Sequence, residues 1–242
     1  MIRNLYKKIA AEFTLFTVEF IFVLAIFLAC IFGFLYIGAE ILEGDKLGID
    51  EKAFAFAHWI SSPGMNRFIE VVTFFASQQF ITPAALLLIA YFLFIRKHRW
   101  HSIRVPVVAL GSISLNLVLK YFFDRPRPLM PLVQASGLSF PSGHSMIAAS
   151  FYGLLIFLVW EHVKPRALRN LLVLLLAFFI LLIGFSRIYL RVHFATDVLA
   201  GFAAGFLWVI LGLWVLRKLE KFSRKEITPV LMEEEDKKTE NF

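Results

Sequence analysis

Cysteine is almost absent from this chain. Cys30 is the only one in 242 residues, so an intramolecular disulfide framework is excluded. It lies inside an apolar run and reads as packing. There is no Gly/Ser/Pro-rich linker and no internal repeat, and 242 residues do not demand a second domain. The histidines and carboxylates form no sequence cluster with metal-ligand spacing, so no metal and no cofactor is expected. Charge is missing from long stretches: residues 129–160 contain no Asp, Glu, Lys or Arg, and their one histidine is His144.

What is present is apolar. Hydrophobic residues make up 59% of the chain, aromatics 16%, and mean hydropathy is +0.74. A soluble domain is about half apolar, so the composition points to a membrane. Residues 20–39 carry no charge and are long enough to cross a hydrocarbon core of about 30 Å. Further runs at 71–95, 105–119 (extended by Lys120 to Phe123), 145–160, 171–186 and 198–216 predict six spans, with Pro83 a kink in the second. Between spans 1 and 2 the mixed stretch 40–67 is too short in apolar residues to cross. With Trp59 suited to the headgroup level, it predicts a helix lying in the interface and ending at Ser61-Ser62-Pro63-Gly64. The fold class expected is therefore all-α and polytopic. Residues 1–12 form a basic N-terminus, 13–216 the transmembrane domain, and 217–242 a charged, disordered tail.

The net charge of +7 would suit a nucleic-acid partner, but its distribution suits a bilayer. Residues 1–12, 96–104, 162–169 and 217–242 hold 17 of the 25 Lys and Arg, in alternate loops. By the positive-inside rule both termini are cytoplasmic, and the remaining loops face outward in a multi-pass cell-membrane protein.

Alternation places the outer ends of spans 3 to 6 on one face, and those ends carry the unusual polar residues. Lys120 and Arg127 follow span 3. Ser142, Gly143 and His144 precede span 4, with Ser142 a natural N-cap and the turn aiming N–H groups at one point. Ser186 and Arg187 close span 5, while His193 and Asp197 open span 6. Three cations around one phosphoryl group would offset the charge of its transfer. Pro126 and Pro128 stiffen the backbone at Arg127. His193 and Asp197 are four apart, so the carboxylate can fix one ring nitrogen's proton and leave the other as nucleophile. His144 is left as the acid that protonates the departing oxygen. Singly, such cations are more often headgroup anchors. Asp124, Arg125 and Arg191 fit the loops as solvated or ion-paired residues, outside the site. His58, His98, His101 and His162 fit loops or interfaces.

At these residues the chain resembles the type-2 phosphatidic acid phosphatase superfamily. Lys120 with Arg127-Pro128 matches its Lys-x6-Arg-Pro motif, and Pro141-Ser142-Gly143-His144 its Pro-Ser-Gly-His motif. Ser186-Arg187, His193 and Asp197 match Ser-Arg-x5-His-x3-Asp. The resemblance implies a helical-bundle core shared with acid phosphatases and vanadium haloperoxidases. It also implies metal-free hydrolysis through a phosphohistidine on His193, with Asp197 orienting it and His144 as acid. Lys120, Arg127, Ser142, Gly143 and Arg187 match phosphate-binding positions. The layout looks like bacterial members acting on phosphatidylglycerophosphate, undecaprenyl diphosphate or phosphatidate, drawn from the bilayer. Two rivals stay open: a phosphotransferase using another acceptor, and a transporter of anionic lipids, which would place its charges at mid-membrane.

Overall fold

The computed structural model describes residues 2–44 and 48–224, with side chains described at 21 and from 23 onward. Residues 225–242 of the tail expected over 217–242, and residues 45–47, lie outside the described residues. Those that are described hold eight α-helices and no strand. They are α1 (Ile2–Glu43), α2 (Gly48–Trp59), α3 (Pro63–Phe74), α4 (Gln78–Ala90), α5 (Arg99–Phe123), α6 (Gly143–His162), α7 (Arg166–Tyr189) and α8 (Ala195–Phe222). A π-helical turn, Tyr91–Ile95, extends α4. Six of these helices are long and apolar enough to cross a membrane: α1 over Val23–Glu43, α4 with its π turn, and α5 to α8.

Several boundaries differ from those expected. The basic lead-in from Ile2 is already part of α1. The mixed stretch forms two helices rather than one. α2 ends at Trp59, and α3 starts afresh where Ser62 accepts from the Met65 amide and Pro63 takes a first-turn position. The apolar run 71–95 is broken at Phe75 to Ser77, so the second span begins only at Gln78. No glycine or proline marks that break. It is stabilised from a distance, by the Tyr152 hydroxyl donating to the Phe75 carbonyl at 2.8 Å. Pro83 lies inside α4 without ending it. The spans at 5 and 6 lengthen into their basic flanks: Arg166 and Arg169 belong to α7, and α8 runs to Phe222. Arg99 and Arg104, expected in a basic loop, are helical in α5.

α6 lies at the centre, packing against α5, α7 and α8, and more than half of it is buried. Its approach to α8 is close because α8 presents glycine there. A Cβ on Gly201 would lie 2.7 Å from the Ser142 carbonyl oxygen, and one on Gly205 2.5 Å from that of Met146. This contact sets the start of α6 directly against the start of α8, and the Ser142 amide donates to the Asp197 carbonyl at 3.0 Å. The apolar core fills the interior behind them with Val105, Val108, Ala148, Leu154 and Ile183. At the other end of the bundle Arg104 is buried, bonded to Glu220 at 2.9 Å and near Glu161 at 3.6 Å.

Candidate active site

Asp197 is the fully buried centre of the polar cluster. It stands in the first turn of α8, where its Oδ2 caps the helix by accepting from the Phe194 amide at 2.9 Å. The same oxygen accepts from the Ser139 hydroxyl and lies 3.3 Å from Nδ1 of His193. His193 precedes the helix rather than riding on it, so the cap, and not a shared helical face, brings the pair together. With Nδ1–H donating to the carboxylate, Nε2 is unprotonated and its lone pair accepts from Arg127 Nη1 at 3.3 Å.

Arg127 is held from three sides by backbone carbonyls. Its Nε donates to Gly137, its Nη2 to Ser136 and its Nη1 to Val192, at 3.0, 3.0 and 2.9 Å. The α5–α6 loop thus clasps the guanidinium, and it is tied to the α7–α8 turn by the Leu132 amide on the Leu190 carbonyl at 3.0 Å. Lys120, in the last turn of α5, donates to the Leu138 carbonyl of the same loop. Asp124 ends α5 in the left-handed conformation, φ 44°, its amide on the Lys120 carbonyl.

α6 starts as expected. Ser142 caps it, and its first-turn amides at Gly143 and His144 point out of the helix end, where an anion is stabilised. Gly143 is required by a neighbour: a Cβ there would lie 3.0 Å from Oδ1 of Asn116, whose amide nitrogen donates to the Pro141 carbonyl at 3.1 Å. His144 has no hydrogen-bond partner among the described residues, and Lys120, Arg127, Arg187 and His193 are all within electrostatic reach of it. Arg187, near the end of α7, is buried. Its Nη1 donates to Thr73 Oγ1 at 2.5 Å, while its Nε is buried without a protein acceptor. The structure therefore draws all eight sequence-selected residues toward one end of the bundle, in direct contact at His193, Asp197 and Arg127.

Burial holds the His193 imidazole down at about 4, with the Arg187 and Arg127 cations adding to it and the Asp197 carboxylate opposing. Burial likewise lowers the Arg127 guanidinium, against the pull of Asp197. With that value His193 is uncharged at neutral pH.

Two expectations need correction. Arg125 is ion-paired, as one of the two readings had it, but within the polar cluster rather than outside it: its Nη1 lies 2.6 Å from Asp197 Oδ1 and 2.8 Å from Thr196 Oγ1, and its Nη2 lies 3.2 Å from Asp50 Oδ2. Its guanidinium also stacks on the Phe194 ring, 4.1 Å from the centroid. Asp50, a buried residue of α2, in turn accepts from the Thr196 amide and hydroxyl, both at 2.9 Å. Neither residue stood out in sequence, since Arg125 looked like one more loop cation and Asp50 sat in a helix assigned to the interface. His101 is the second case. It is buried in α5 and gathers with Glu161 and His162, whose ligand-type atoms fall within 4.8 Å of one another. Arg104 already fills that cluster with positive charge, Nη1 lying 3.3 and 3.4 Å from the two ring nitrogens of His101.

Residues 102–221 match the PAP2 superfamily. Over 194 residues the chain is 34% identical to phosphatidylglycerophosphatase B of Bacillus subtilis (strain 168), covering 79% of this chain and 95% of that one. The chain belongs to the PAP2 superfamily. The fold agrees: the crystal structure of a transmembrane PAP2 type phosphatidylglycerolphosphate phosphatase from Bacillus subtilis superposes with a TM-score of 0.72 at 31% identity, over 81% of this chain and 98% of that one. Undecaprenyl-diphosphatase BcrC of Bacillus subtilis (strain 168) is 26% identical over 159 residues, 63% of this chain and 76% of the relative. This PAP2 protein is a membrane-embedded lipid phosphatase.

Proposed function

We propose that this PAP2 lipid phosphatase removes the terminal phosphate of a phosphorylated membrane lipid through a phosphohistidine on His193, without a metal ion. The observation that carries the reading is the orientation of His193: Nδ1 on Asp197, Nε2 turned to the cation Arg127. In the first step Nε2 attacks phosphorus, the phosphorus–oxygen bond to the lipid breaks, and His144 gives its proton to the departing oxygen. In the second step water attacks the phosphohistidine, the phosphorus–nitrogen bond breaks, and His144 takes up the proton as inorganic phosphate forms. Lys120, Arg127 and Arg187, with the Ser142 hydroxyl and the α6 amides at Gly143 and His144, bind the phosphoryl oxygens and stabilise the charge of the transition state. The unpartnered Nε of Arg187 supports that role.

The distribution of Lys and Arg supports both termini on the cytoplasmic side and the site at the outer face. Substrates of the classes named for the relatives, phosphatidylglycerophosphate and undecaprenyl diphosphate, reach it from the bilayer, with phosphatidate a third class. The test is phosphate release from these three lipids in detergent with EDTA present. Release that survives chelation and disappears in His193→Ala bears the mechanism out; release abolished by EDTA overturns it.

A further inference from the structure

A cavity of about 580 Å³ opens beside Arg127, between the end of α1, the start of α2, the α5–α6 loop and the α7–α8 turn. That volume is in the range of small-ligand sites. Its apolar lining includes Ile41, Phe54, Leu129 and Phe194, and its polar lining comes from Asp50, Glu51, Arg125, Arg127 and Arg191. These charges are not equivalent. Arg125 is committed to both Asp50 and Asp197, while Arg127 faces the nucleophile. Arg191 is left over. Its side chain makes no hydrogen bond or ion pair among the described residues, yet it is half-buried in the cavity wall. Its backbone is held in the left-handed region, φ 53°, by its amide on the Ile188 carbonyl at 2.9 Å. A non-glycine residue in that conformation is disfavoured, and such residues gather at functional sites. The turn fixes a cation two residues from His193, so their Cα atoms are no more than about 7.6 Å apart.

We propose that this cavity is a headgroup subsite in which Arg191 binds a second phosphate, the one that stays on the lipid after cleavage. This rests on the phosphatase reading above. A second phosphate occurs in two kinds of lipid: as the phosphodiester of a phosphoglycerol headgroup, or as the inner phosphate of a polyprenyl diphosphate. Phosphatidate has none. Glu51, the lining carboxylate without a cation partner, would accept from a headgroup hydroxyl, which the glycerol-bridged headgroup has between its phosphates and a diphosphate lacks. The subsite therefore favours the phosphoglycerol class.

The experiment measures kcat/KM of the full chain in detergent on phosphatidylglycerophosphate, undecaprenyl diphosphate and phosphatidate, for wild type, Arg191→Ala and Arg191→Lys. The readout is the ratio of each two-phosphate lipid to phosphatidate, which is insensitive to a general loss of folded enzyme. In Arg191→Ala the phosphatidylglycerophosphate ratio drops about 10-fold or more, as for a lost charge-assisted hydrogen bond, and Arg191→Lys recovers part of it. A parallel drop in the undecaprenyl diphosphate ratio extends the subsite to both lipid classes; a drop confined to the glycerol-bridged lipid restricts it to one. Ratios within twofold of wild type for both lipids overturn the proposal, whatever the absolute rates. Wild type that releases no phosphate from any of the three, with no His193 dependence, overturns the phosphatase mechanism first and the subsite with it.

Discussion

The Arg125 guanidinium lies 2.6 Å from Oδ1 of Asp197, the carboxylate oxygen that His193 does not use. Asp197 therefore has both oxygens engaged, one by the imidazole, Ser139 and the Phe194 amide, the other by a cation. Such saturation fixes the carboxylate in angle, which fixes the plane of the His193 ring, the proposed nucleophile.

Arg125→Ala is expected to lower kcat about 10- to 100-fold with little change in KM, the range typical of groups that orient a reacting ligand from behind. Arg125→Lys recovers only part, because an ammonium cannot bridge Asp197 and Asp50 as the guanidinium does. Steady-state kinetics on a lipid phosphate decides it. A rise in KM at constant kcat would instead place Arg125 on the substrate.

Asp50 acts further out. It holds Arg125 Nη2 at 3.2 Å and the Thr196 amide at 2.9 Å, so it links α2 to the start of α8. Asp50→Asn is expected to reduce kcat several-fold, less than Arg125→Ala. In the double variant the losses should fall short of additive by about 0.5–1 kcal/mol, as for residues in one network. Additive losses would separate α2 from the catalytic geometry.

The six spans and the motif residues were legible because both signals are local. A run of uncharged residues is its own evidence for a span, and Ser142 before Gly143 is its own evidence for a helix start. What sequence could not show depends on distant partners. The break at Phe75 to Ser77 rests on Tyr152, 77 positions away, and nothing in the local residues forbids a continuous helix. Arg125 and Arg191 flank the motifs as two similar loop cations. Only folding assigns one to Asp197 and leaves the other in the cavity. Arg104 looked like part of a loop because its counter-ion, Glu220, is 116 residues away.

The α6–α8 contact makes a sharp comparison of glycines. Gly201→Ala puts a methyl 2.7 Å from the Ser142 carbonyl and 3.0 Å from Ser145 Cβ, so the helix start whose amides are proposed to bind phosphate must shift. A displacement near 1 Å at a reacting centre costs on the order of 100-fold in rate. Gly212→Ala, in the same helix, meets nothing within 4 Å and should leave the rate unchanged while raising the thermal midpoint slightly. Matched assays and melting curves of the two variants test it; equal effects would remove the close contact as the reason for glycine.

His193 ties the site to acid stability. Burial sets it at about 4 in the folded chain, against about 6.5 when unfolded. The unfolded state thus takes up a proton before the folded one does. The stability from keeping His193 neutral is fully present above about pH 6.5 and is lost as the pH falls through the folded value of about 4. In detergent the thermal midpoint of the wild type should decline across that window. His193→Gln, which keeps a polar group but cannot titrate, should flatten the decline by roughly 5–10 °C in total. A decline of the same depth in both proteins would mean that other groups carry the acid sensitivity and that His193 is readily protonated where it stands. An imidazole charged near neutral pH could not attack phosphorus there, so this one comparison bears on the nucleophile as directly as the rate does.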